Sequence, residues 1–212
     1  MAQQIRLELV QQQVERGSVF TAHLPQGQVA RVDVPEDFVR AGMPVSVNGE
    51  ARYTLFFRPV EQLRGSATRK QRLMLNPFDI LDAAGNRAGT IRWVPPKRFS
   101  LFTYYEITLA EQRFQLYEVA LGRQGIKLPI YRDDAQVALV EKDVLRPGTP
   151  DSYRLIINEG VDPLPLVIMA VWYDSLHFAG LEDNHVGRSS FQLQYTLSRR
   201  LRAMHDPDFK KV

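Results

Sequence analysis

The amino-acid sequence predicts a mainly β fold: an antiparallel β-barrel closed around one central hydrophobic C-terminal helix. Three features predict it. A segment near the C-terminal end is apolar on every side, many short segments alternate apolar and polar residues, and turn-forming residues separate those segments.

The apolar segment runs from Pro163 to Ala179 (PLPLVIMAVWYDSLHFA), and its one acid is Asp174. A helix without a polar face must be surrounded by protein or lipid. Asp162 suits its N-cap, Pro163 and Pro165 fit the first turn, and Gly180 stands where a C′ residue would end it. The segment falls short of the ~20 residues of a membrane span. It is therefore expected to be a core helix, with a sheet wrapped round it as its wall and no transmembrane segment in the chain.

The strands follow from period-2 patterning. Phe99, Leu101, Thr103, Tyr105, Ile107 and Leu109 alternate with Ser100, Phe102, Tyr104, Glu106 and Thr108, and Phe191, Leu193, Tyr195 and Leu197 alternate with polar neighbours. Further strand segments are Ile5 to Val10, Val29 to Val34, Tyr53 to Phe57, Leu73 to Leu81, Thr90 to Val94, Phe114 to Leu121, Ile126 to Tyr131, Val137 to Lys142 and Tyr153 to Ile157. Asn48-Gly49, Ala84-Gly85-Asn86 and Arg132-Asp133-Asp134 supply turn chemistry between apolar runs, which predicts antiparallel hairpins. A weak internal repeat of strand, polar turn and returning strand starts at Phe78, Tyr105 and Pro129, as successive hairpins of one sheet would.

Composition sets the outer bounds. With 212 residues, 44% of them hydrophobic, the chain can bury one sizeable core, and residues 1–212 are expected to form a single domain. Lys and Arg number 27 against 24 Asp and Glu, so the net charge of +3 does not predict nucleic-acid binding. The absence of cysteine excludes disulfides, thiol catalysis and cysteine-based zinc sites. Charges interrupt the first ten residues, which lack a signal-peptide core, so a cytoplasmic location is the default expectation.

Taken together, FDILDAAGNRAGTI, YEITLAEQRFQLYEV and SYRLIINEGVDPLPLVIMAVWYDSLHF resemble the tubby C-terminal-like superfamily, in particular its LURP-one-related and phospholipid scramblase-like members. The resemblance covers roughly Tyr53 to Ala179. It implies a barrel of about twelve strands, with 163–179 as its central helix. Within the single domain, residues 51–180 would be the tubby-like barrel and helix. Residues 1–50 would be extra strands or a cap, and residues 181–212 a strand followed by a basic tail around Arg199, Arg200 and Arg202.

The resemblance also implies a search for cations that bind anionic phospholipid headgroups. Clustering selects Arg64, Arg69, Lys70 and Arg72, with Lys97 and Arg98 in the next connection. Converging cations bind phosphate through charge-assisted hydrogen bonds, and arginine can do so bidentately. The plainer reading of the same residues is a solvated loop that keeps the barrel soluble.

Other chemistries are not supported. His177, Glu182, Asp183 and His185 lie close together but match no metal-ligand spacing, so no metal or cofactor is expected. Nucleophile-elbow, zincin, P-loop and dinucleotide-binding motifs are absent. The stretch from Lys97 to Tyr105 lacks the glycine and spacing of a single-strand RNA-binding motif. The expectation is a noncatalytic binding module for anionic headgroups or a membrane surface, peripheral to the membrane. The alternative is a protein-interaction or structural module without a lipid ligand, in which the first fifty residues or the basic tail engage a partner chain.

Overall fold

The structure, a computed structural model, describes residues 3–59, 76–95, 103–118, 126–142 and 152–178, together with residues 203, 204, 206 and 209. Its strands are β1 (Gln4–Val14), β2 (Gly17–His23), β3 (Val29–Pro35), β4 (Met43–Val47), β5 (Glu50–Phe57) and β6 (Phe78–Asp82). They continue with β7 (Arg87–Val94), β8 (Tyr104–Leu109), β9 (Gln112–Leu116), β10 (Ile126–Arg132), β11 (Ala135–Lys142) and β12 (Ser152–Asn158). A short helix α1 (Phe38–Ala41) joins β3 to β4, and α2 (Pro163–His177) follows β12.

The twelve strands form one antiparallel meander in sequence order, closed by pairing β1 with β12 from Gln4↔Asn158 to Val10↔Ser152. Residues 4–47 are therefore four consecutive strands of the barrel wall. Their rhythm reflects barrel strands rather than a cap. Two of them, β2 and β4, escape a search for alternation: β2 opens with Gly17 and sets the buried Val19 and Phe20 side by side, and β4 carries Pro44. The three repeat units are the hairpins β6–β7, β8–β9 and β10–β11, adjacent in the wall. The strand expected over 191–197 lies outside the described residues.

The barrel has two unlike rims. One carries tight turns: Asn48 and Gly49 adopt φ of 52° and 81°, and Asp133 and Asp134 adopt 52° and 63°. Asp82 closes the β6–β7 turn by accepting from the Ala84 and Asn86 N–H groups at 2.9 and 2.8 Å. The β8–β9 turn uses Ala110 and Glu111 at φ of 49° and 63°, a left-handed conformation without the glycine or asparagine that would announce it. The opposite rim carries the connections 36–42, 58–77, 95–103, 117–125 and 143–151. Gly89, on β7, is required by close approach, since a Cβ there would lie 2.0 Å from the Thr108 carbonyl oxygen.

The helix α2 leaves β12 at the tight-turn rim, where Asp162 accepts from the Leu164 N–H at 3.0 Å, and ends at the opposite rim. Every residue from Pro165 to Leu176 is buried. The wall facing it alternates as the pleat requires: Tyr105, Ile107 and Leu109 point inward from β8, Tyr153, Leu155 and Ile157 from β12. The central ring is Trp172, fully buried and edge-on to Phe78 and Tyr105 at 5.9 and 5.8 Å. Its indole N–H has no hydrogen-bond partner among the described residues. Phe38 of α1 packs on Phe78 from the connection-bearing rim.

Replacing Trp172 with alanine would hollow the point where helix and wall interlock, and is expected to cost about 3–5 kcal/mol. Urea unfolding of W172A measures this, and a loss under about 1 kcal/mol would place the ring outside the core.

Candidate functional site

The cations selected from the sequence, Arg64, Arg69, Lys70, Arg72, Lys97 and Arg98, lie outside the described residues. So do Glu182, Asp183 and His185, and no group of potential metal ligands occurs among the described residues. The described side chains concentrate polar chemistry elsewhere, at the end of α2 inside the barrel mouth.

Asp174 is the one acid of the helix, and burial makes an unpaired carboxylate there prohibitively costly. Its partner comes from β11. Period-2 alternation puts Lys142 on the same inward face as Ala138 and Val140, and its side chain is 1% exposed. Lys142 Nζ donates to Asp174 Oδ1 at 2.9 Å and to the Tyr153 hydroxyl at 2.8 Å. The Tyr153 hydroxyl in turn donates to the same Asp174 oxygen. The ammonium group also lies 4.1 Å from the centroid of the Phe178 ring and 4.8 Å from that of Tyr153, a cation–π arrangement in a desolvated setting.

Beside this triad sits a second cluster. Glu118, just beyond β9, accepts from the Tyr173 hydroxyl at 2.5 Å and from the Tyr105 hydroxyl at 3.5 Å. Tyr105 also shares a 2.7 Å hydrogen bond with His177 Nε2, and the Tyr173 and His177 rings stack at 4.5 Å. His177 thus ends the helix in contact with an aromatic wall. Burial pushes the Glu118 carboxyl up to about 7, an effect the hydrogen bonds from Tyr173 and Tyr105 only partly offset. Burial, reinforced by the Glu118 charge, raises both tyrosine hydroxyls well above their ordinary value.

The outer wall is organised differently. Glu106 of β8 lies between Arg92 of β7 and Arg113 of β9, with N···O distances of 2.8 and 2.5 Å. Burial alone would push its carboxyl up, but the hydrogen bonds and charges of the two guanidinium groups outweigh this and hold it below the usual range. Asp79 is similarly placed between Arg87 at 3.0 Å and Arg58 at 3.5 Å. Each set leaves one cation in excess, with both arginines about half exposed.

These arrangements divide the molecule by chemistry. The enclosed space is taken up by α2, and the polar groups at its end bond to one another. A shallow, open depression lined by Glu36, Asp37, Val39 and Arg40 holds no nucleophile paired with a base. No protein-family model, curated protein or solved structure matches the chain.

Sequence reasoning missed Lys142 and Glu118. The signal for Lys142 was available: an acid inside an apolar helix demands a cation, and Lys142 closes an inward-facing alternation. Nothing comparable marks Glu118, which lies just beyond a strand end.

Two outcomes test the cluster. Lys142→Met strands the Asp174 charge and should cost about 3–5 kcal/mol, whereas Lys142→Met with Asp174→Leu should recover most of that loss. Equal losses in the single and double variants, measured by urea unfolding, would rule out the pair. For Glu118, the folded carboxyl holds its proton to higher pH than the unfolded one. Its contribution to stability is therefore complete below about pH 4.5 and disappears as pH rises to about 7. Glu118→Gln should remove that slope and exceed the wild type at pH 8 by on the order of 3 kcal/mol. Parallel stability–pH curves for the two proteins would contradict the assignment.

Proposed function

We propose that the chain is a noncatalytic binding module of the tubby-like kind, which docks anionic phospholipid headgroups at the rim bearing the long connections. The observation that carries this reading is that α2 takes up the barrel's interior and the polar groups at its end bond to one another. Binding is then a task for the outer surface. Topology supports the choice of rim. The 58–77 connection, with Arg64, Arg69, Lys70 and Arg72, joins β5 to β6, and the 95–103 connection, with Lys97 and Arg98, joins β7 to β8. Both pairs of strand ends lie on one rim, and half-exposed Arg58 and Arg92 stand on the wall close to it.

A cation near an anionic membrane surface contributes about 1 kcal/mol. Several acting together give binding that survives physiological screening, where the Debye length is about 8 Å. The test is co-sedimentation with neutral vesicles and with phosphoinositide-containing vesicles at about 0.15 M salt. The wild type should pellet with the acidic vesicles only, and R69E/K70E/R72E should lose at least tenfold in affinity. Unchanged binding by the variant would remove these loops from the account. A wild type that ignores both vesicle types would overturn the lipid reading in favour of a protein partner.

A further inference from the structure

The outer face of β10–β12 mixes charged positions, such as Glu141 and Arg154, with buried apolar ones. Here the cross-strand neighbours of β11 and β12, Leu139 and Ile156, both point outward and are apolar. Tyr131 of β10, packed edge-on to Tyr117 at 5.4 Å, extends the apolar surface. Left bare, these would be exposed apolar side chains of the kind that mark an interaction site.

They are covered by the chain's own C-terminal segment. Phe209 packs on Leu139 and Ile156, and Met204 packs on Tyr131. Between these anchors the segment is held by its backbone. The Asp206 N–H donates to Gln136 Oε1 at 3.0 Å, and the Phe209 carbonyl accepts from Gln4 Nε2 at 2.8 Å. The Phe209 N–H returns to the Asp206 carbonyl at 3.3 Å. The β-bulge between Ile130 and Tyr131 pairs Tyr131 with Gln136, so Gln136 shares the outward face of Tyr131 and meets the segment. Gln4 lies across the seam that closes the barrel, opposite Asn158. Two apolar contacts combined with two backbone hydrogen bonds are the elements by which a surface recognises a short peptide.

We infer that the outer face of β10–β12, with Gln4 of β1, is a peptide-docking surface that the chain occupies with its own Met204, Asp206 and Phe209. A peptide with the same spacing, an apolar residue followed by Asp two positions on and Phe three positions later, would compete for it. The segment belongs to the same chain as the surface, and intramolecular docking of this kind corresponds to a local concentration on the order of 1 mM. Against an intrinsic Kd of about 0.1 mM, the segment would suppress a free peptide's binding about tenfold.

The test uses the full chain and a fluorescent peptide with the sequence of residues 199–212, RRLRAMHDPDFKKV. M204A/F209A, checked for its fold by circular dichroism, should bind the peptide about tenfold more tightly than the wild type. A peptide with Ala for its Phe should lose that binding. Failure of the folded variant to bind more tightly than the wild type would overturn the inference. Should the double variant not fold, amide exchange in the wild type decides: the Asp206 amide should lose protection when excess peptide is added. Protection unchanged at millimolar peptide would likewise overturn it.

Discussion

The rest of the structure depends on one constraint: a helix that is apolar on all sides must be enclosed on all sides. An amphipathic helix could have rested on an open sheet with its polar face in water. Pro165 to Leu176 offer no such face, so the sheet must close, and twelve short strands in a meander do so without leaving an edge. Closure also explains the tight hairpins on one rim, since each strand must return beside its predecessor to keep the wall continuous.

An apolar helix in an apolar sleeve has little to determine its rotation or depth. The polar end of the core supplies both. Asp174 meets Lys142 and Tyr153 from β11 and β12, while Tyr173 and His177 meet Glu118 and Tyr105 from the β8–β9 side. Buried pairs of this kind contribute less to net stability than apolar residues of equal volume would, but their geometry is directional. They are a device for holding the helix in one register. Glu118, which titrates near neutrality, makes that end of the core sensitive to pH.

The outer surface divides in turn. The wall of β5–β9 is charged and carries Arg–acid–Arg sets that keep guanidinium groups ordered and half exposed, an arrangement compatible with a surface that meets anions. The wall of β10–β12 carries the apolar residues Tyr131, Leu139 and Ile156, which are covered by Met204 and Phe209.

Several parts of this were legible in the residues themselves. The helix was marked by its unbroken apolarity and its Asp162 cap, and most strands by alternation between glycine or aspartate turns. These signals are local, carried by residues within one turn or one pleat of each other. The strands β2 and β4 were not legible, because Gly17 and Pro44 weaken their local strand signal and it is the ladders offered by neighbours on both sides that make them strands. The pairing of Asp174 with Lys142, the nearness of Glu118 to Tyr173 and the docking of Phe209 on Leu139 and Ile156 join residues far apart in the chain. By itself the sequence determined a closed β structure around an apolar helix, since periodicity and burial demand are properties of short segments. Only the tertiary structure decided which groups meet at the barrel mouth and on the outer wall, because barrel closure and strand register bring distant residues into contact.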